Sequence, residues 1–362
     1  MAQLYPLKKN HPAPAAALLP ERFSWAAPPV LALVLLVLMV LSLCMGAYPM
    51  SFGHAARIIL YYLWPQNWFA ASPWNLKELT AIGVIRPPRV LLATFAGVGL
   101  SLAGTALQGM MRNPLVGPDI VGVTAGAACG GAAALALDWP PVGVIFLAFC
   151  GGLLAMSCTY SLAKSMRARD SNLMLILSGV FIGAFFMALL GFIEYISPDS
   201  YIYSVTYWLI GSFVGADWVK VAVIAVPTLG GGVLLMALRW RLNLLSLGDL
   251  DARALGVNLG LVRWLVIGIV SLIVAAQVSV SGLVAWVGLV VPHCARMIVG
   301  PDHRRLLPTA AFLGGLFVLT LDDLTRTIVH AELPAGLLTA LLGTPVVCVL
   351  LWKSRGKGWG RE

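Results

Sequence analysis

The chain reads as an all-α, polytopic membrane protein, and three observations carry that reading. Of its 362 residues 60% are hydrophobic and 11% charged, and a mean hydropathy of +0.90 excludes a soluble globular domain. The apolar runs are about 20 residues long, which at about 1.5 Å per helical residue crosses a hydrocarbon core of roughly 30 Å. About ten such runs can be placed, near 28–47, 89–110, 117–137, 140–163, 172–194, 218–238, 262–281, 283–299, 306–323 and 334–352. The third observation is charge placement. With the amino terminus inside, all but Arg57, Lys77, Arg86, Arg89, Lys220 and Arg326 of the 24 basic residues fall on the cytoplasmic side. That asymmetry predicts cytoplasmic N and C termini and uses up the net charge of +9, leaving no basic patch for nucleic acid. A transmembrane β-barrel would need short alternating strands, and the sequence has none.

The elements follow in order. Residues 1–27 are too long and proline-rich for the charged region of a signal peptide, so they read as a cytoplasmic extension and the first run as a retained anchor. The loop 48–85 carries Trp64, Trp68 and Trp74, aromatics suited to a membrane–water interface. Within it, residues 54–64 are too short to span and predict an interfacial helix. The stretch from Arg86 to Ala127 predicts two spans joined by the polar turn RNPLVGPD. Gly97, Ser101, Thr105 and Gly109 recur every fourth residue on its first helix, and Gly122, Gly126 and Gly130 on its second. Such small-residue stripes allow close helix approach in a bilayer. Pro114 and Pro118 interrupt the helical ladder at the turn, and Asp119 is placed to cap the next helix.

Further along, residues 195–217 predict a short outer helix, since their apolar middle cannot span. The longest inner connection, 239–260, repeats Leu247, Leu250, Ala254 and Val257 at three- and four-residue spacing around Asp249, Asp251 and Arg253, with Gly256 as a stop. That is an amphipathic helix, either packed on the bundle or offered to a partner. Residues 353–362 form a basic cytoplasmic tail. The six cysteines lie singly in apolar helices without metal-ligand spacing, so no metal site is expected. His293 follows Pro292 and is assigned a structural role beside that helix break, and Glu194 stands at the outer end of the fifth span. No paired carboxylates are read within the spans, which disfavours an ion-coupled secondary transporter, the main alternative class. No catalytic pair is read either, and the chain is expected not to be an enzyme. It has no GxxxxGK[ST] phosphate loop, so ATP energy would have to enter through a partner.

RPPR at 86–89, RNPL with GPDIVGVTAGA after it, GDLDARALGV at 248–257, GLVAWVGLVVPHCAR at 282–296, DHRRLLP at 302–308 and AELPAG followed by LLGTPV at 331–346 occur in this order. Together they resemble the FecCD family of binding-protein-dependent ABC transporter permeases, which includes the vitamin B12 permease, over roughly 28–352. The resemblance implies a type II importer permease of the bacterial inner membrane. Its ten-helix subunit works as a homodimer, with two cytoplasmic ATPases that bind ATP and Mg and with a periplasmic substrate-binding protein. It implies ATPase coupling through Leu247, Asp249, Leu250, Asp251, Arg253, Leu255 and Gly256. Binding-protein docking falls on Arg86, Arg89 and Arg326, and a cytoplasmic gate on Asn113, Leu115, Ser171 and Asn172. The last pair departs from the Thr/Ser usual there. Iron transport as a ferric siderophore is the family's commonest role, with haem, cobalamin and oxyanions such as molybdate also carried.

Overall fold

A computed structural model describes residues 20, 24–46, 50–63, 75–166, 171–328 and 333–354. The tryptophans of the 64–74 loop, most of the 1–27 extension and residues 355–362 of the basic tail lie outside the described residues. All regular structure among the described residues is helical. In chain order the helices are α1 (Ala27–Cys44), α2 (Phe52–Leu63), α3 (Leu76–Thr80), α4 (Arg86–Met111), α5 (Val123–Ala136), α6 (Pro141–Ser165), α7 (Ser171–Ile196) and α8 (Asp199–Ile210). They continue with α9 (Trp218–Leu247), α10 (Asp249–Ala254), α11 (Leu259–Ser281), α12 (Val287–Val299), α13 (His303–Ile328) and α14 (Ala335–Ser354). Seven helices of the described residues are long and apolar enough to cross a membrane, and α5, α12 and α14 add shorter apolar helices.

α4 is the axis of the bundle. It continues α3 through a π-helical turn, Ala81–Ile85, into an apolar helix buried along most of its length. The turn has a local cause. Pro87 and Pro88 have no N–H for the preceding carbonyls, and the widened turn closes with the Arg86 N–H on the Ala81 carbonyl. α4 packs on α13, α9, α11 and α12, and α5 packs on α6. The small-residue stripes lie at these contacts within one subunit. A methyl at Gly97 would collide with the Gly314 carbonyl of α13, against which Ser101 also packs, and one at Gly104 with the Gly288 carbonyl of α12. Gly126 and Gly130 meet Gly151 and Leu147 of α6 in the same way. Gly122, at φ +80, forms the sharp entry to α5 after a 3₁₀ turn at Pro118–Val121.

Three boundaries differ from the periodicity. α9 does not end near residue 238 but runs to Leu247, so half of the expected inner connection is a continuation of a spanning helix. The separate amphipathic helix is only α10, six residues, started by Gly248 at φ +122. It ends where Gly256, at φ +80, lets the Val257 N–H reach the Ala252 carbonyl. Asp119 does not cap the backbone of α5, since its carboxylate accepts from the Thr124 hydroxyl at 2.8 Å. Residues 282–286 separate α11 from α12, and Trp286 sits at φ 68, rare for a bulky side chain, against Gly343 of α14. The expected short helices at 54–64 and 195–217 correspond to α2 and α8.

Candidate functional site

The residues singled out by sequence gather at the two ends of α4. At the Arg112 end, α10 is held to the bundle by Ala252, which is fully buried, while the leucines in and beside it face outward. Leu250 is 84% exposed and Leu247 and Leu255 are each 59% exposed, with Asp251 and Arg253 exposed beside them. Apolar side chains presented this way on a charged helix form a contact surface rather than a packed face. Asp249 points back toward the bundle instead. Its carboxylate accepts from the Arg263 guanidinium of α11 at 2.8 and 3.0 Å and from Arg112, the residue closing α4, at 3.4 Å.

Arg112 adopts the left-handed conformation, φ 55, and turns the chain into Asn113. The Asn113 side-chain oxygen accepts from the Leu115 N–H at 3.0 Å, making a compact turn that leaves Leu115 48% exposed. Beyond it opens a cleft of about 300 Å³ lined by Leu100, Leu115, Asp119, Val284, Trp286 and Leu289, among others. Ser171 and Asn172 begin α7, which meets the 3₁₀ turn through Gly179, about two helical turns further on. The 3₁₀ turn that follows Leu115 in the chain thus packs on α7.

The same end holds a polar network that sequence reading passed over in favour of His293. Gln108 of α4 accepts from Arg296 of α12 at 3.0 Å, and its amide donates to the Leu289 carbonyl. Asn243 of α9 receives the His303 backbone N–H at 2.8 Å and donates to Asp302 at 2.7 Å. The His303 ring is buried where Gly109 leaves room for it. Partial burial raises the Asp302 carboxyl, but hydrogen bonds from Arg304 and Asn243 outweigh it and hold the group at about 2.

At the Arg86 end lies a second cluster, and it is buried. Arg86, Arg89 and Arg326 are each 7% exposed or less, and Arg89 and Arg326 meet Asp322 and Asp323. Arg89 forks onto Asp322 at 3.0–3.2 Å, and Arg326 forms an ion pair with the same carboxylate at 3.1 Å and another with Asp323. Asp323 accepts from Ser42 of α1 at 2.6 Å, and Arg86 donates to the Leu43 carbonyl at 2.9 Å. Asp322 and Asp323 correct the reading that no paired carboxylates lie within the spans. The hydropathy window ended at 323, which put both at a span's edge, whereas α13 continues to Ile328 and buries them. The signal was present in TLDDLTR, two acids with an arginine three and four residues on. Because arginines compensate both carboxylates, the pair is a structural lock and not the proton site of a coupled pump.

Comparison with known proteins gives a consistent answer. The FecCD transport family matches residues 34–353. The chain is 39% identical over 333 residues to the molybdate import system permease protein MolB of Haemophilus influenzae, covering 91% of this chain and 96% of that one. It is 37% identical over 319 residues to the cobalamin import system permease protein BtuC of Halobacterium salinarum, covering 86% and 85%. Among solved structures it is similar to a metal-chelate type ABC transporter in an inward-facing conformation, with TM-score 0.80 and 36% identity over 91% of this chain and 99% of that one.

Proposed function

Because this chain belongs to the FecCD transport family, as the permease subunit of a metal-chelate ABC importer in the inner membrane, we propose the following assembly and path. Two copies form the permease, with seven long spans and the three shorter apolar helices making ten per copy and both termini in the cytoplasm. The Arg112 end of α4 then faces the cytoplasm. Two ATPase subunits dock there on Leu247, Leu250 and Leu255, with Asp251 and Arg253 orienting the contact, and ATP and Mg belong to those partners. The chain itself carries no phosphate loop.

The Arg86 end faces a periplasmic binding protein. Arg86, Arg89 and Arg326 serve docking by fixing the outer ends of α1, α4 and α13, since guanidiniums this buried act through geometry and not by direct contact. Asn113 and Leu115, with Ser171 and Asn172, close the path on the cytoplasmic side. A short polar turn bearing one exposed leucine can seal in one arrangement and part in another. The cargo is a ferric chelate of the siderophore type. The observation that carries this reading is the pairing of a family match across nearly the whole chain with the outward-facing leucines in and beside α10. A second reading, an oxyanion cargo, is favoured by the 39% identity to a molybdate permease.

The test is reconstitution with the cognate ATPase and binding protein in proteoliposomes. Loaded binding protein should stimulate ATP hydrolysis and drive uptake, and Leu250→Asp should abolish ATPase co-purification. If loaded binding protein changes neither rate, the assignment is wrong. Competition between ferric siderophore and molybdate for the binding protein decides the cargo.

A further inference from the structure

The exposed leucines in and beside α10 give the proposed ATPase a hold on this chain, but they do not explain how its motion reaches the gate. α10 has only six residues and follows a glycine at φ +122, so its own helix cannot act as a stiff lever on α9. A physical link between a docking element and a gate must be a connected set of contacts. One such set is present, and it runs through Asp249.

Asp249 opens α10, and its carboxylate is shared by two guanidiniums from different helices. Arg263 holds it at 2.8 and 3.0 Å, and Arg112 reaches it at 3.4 Å. The two contacts differ in exposure. The Arg263 side chain is 13% exposed, whereas those of Arg112 and Asp249 are 43% and 35% exposed. The first contact is an anchor, and the second is a hydrated pair that is cheap to break and remake. Arg112 has a particular place in the chain. Its backbone is pinned in the left-handed conformation by its N–H on the Gln108 carbonyl, and the next residue is Asn113. The Asn113 N–H bonds the same carbonyl at 3.2 Å, and Gln108 is itself held by Arg296. A displacement of α10 that moves Asp249 therefore pulls on the peptide that starts the gate turn.

We propose that Asp249 is a positioning residue that couples the ATPase-docking helix to the cytoplasmic gate turn through Arg112, with Arg263 holding its carboxylate in place. This rests on the transport reading above. Asp249 then differs in kind from its neighbours in and beside α10: Leu250 and Leu255 bind the partner, and Asp249 passes the movement inward.

The experiment uses the complete complex in proteoliposomes and reads three quantities: ATPase co-purification, ATP hydrolysis, and cargo taken up per ATP. Asp249→Asn and Arg112→Ala should each lower uptake per ATP by about fivefold, a usual magnitude for a residue that carries coupling. Co-purification should stay at the wild-type ratio. The double variant should be no worse than either single one, because both remove the same link. Asp249→Glu should recover most of the loss. The inference is overturned if Arg112→Ala leaves uptake per ATP unchanged, if the double variant multiplies the two losses, or if Asp249→Asn loses the ATPase, which would make Asp249 part of the docking surface. These results leave the transport assignment standing. Failure of the wild-type complex to transport is a separate outcome, and it removes both.

Discussion

The two arginine–aspartate clusters at opposite ends of α4 use the same chemistry for opposite purposes. At the Arg86 end the charges are sealed among α1, α4 and α13, with Asp322 fully buried between two guanidiniums. At the Arg112 end Asp249 is also shared by two guanidiniums, but it and Arg112 are open to water. Burial decides what each can do. A charge pair out of water is hard to break, because either partner left alone is uncompensated in a low dielectric. A pair in water loses little on separation, since solvent replaces the partner. The first arrangement suits a fixed joint, and the second suits a moving contact.

The comparison can be broken most directly at Asp322. Asp322→Asn leaves Arg89 and Arg326 sharing a neutral group and should cost about 3–5 kcal/mol, measured by unfolding in detergent. A cost below about 1 kcal/mol would mean that water reaches the cluster and that the contrast with Asp249 is false. The frame separating the clusters comes next. Gly104→Ala drives a methyl into the Gly288 carbonyl of α12 and should cost about 1–3 kcal/mol by overpacking. Smaller still, Arg112→Ala and Asp249→Asn should each change stability by less than about 1 kcal/mol while altering coupling, and added salt should weaken the Arg112–Asp249 contact but not the Asp322 cluster.

The smallest expected effect is a pH dependence at Asp302. Its carboxyl is held at about 2 against an ordinary 3.8. A lowered folded value adds stability that is complete above the ordinary value and is lost as the pH falls from about 4 through about 2. Acid titration of unfolding should therefore show a limb in that window, reduced in Asp302→Asn. The partial exposure of this aspartate keeps the limb shallow.

Much of the fold is legible from local pattern. Run length gives the long helices, and fourfold spacing gives the small stripe on α4 that meets Gly314. The tryptophan at φ 68 was not legible, since nothing local demands that a bulky residue turn left-handed there. The end of α9 was missed because polar residues after 238 resemble a loop, although they continue a helix beyond the apolar zone. At the site, amphipathic spacing groups Leu247 and Leu250 on one face, but whether that face packs on the bundle or is offered outward is decided only by the structure, which buries Ala252 instead. The burial of Arg86, Arg89 and Arg326 does not. Arginines at helix ends most often reach for the interface, and only the distant acids of α13 make another position possible.

By itself the sequence determined the class, the apolar helices, the small residues where backbones approach, and the family through motifs kept in order. Those properties are written in neighbouring residues or in periods of a few residues. Only the tertiary structure decided which charges are sealed and which are open. Arg89 meets Asp322 across 233 positions and Arg112 meets Asp249 across 137. The strength of each pair depends on how much water remains around it, a quantity set by the packing of several helices and carried by no local pattern.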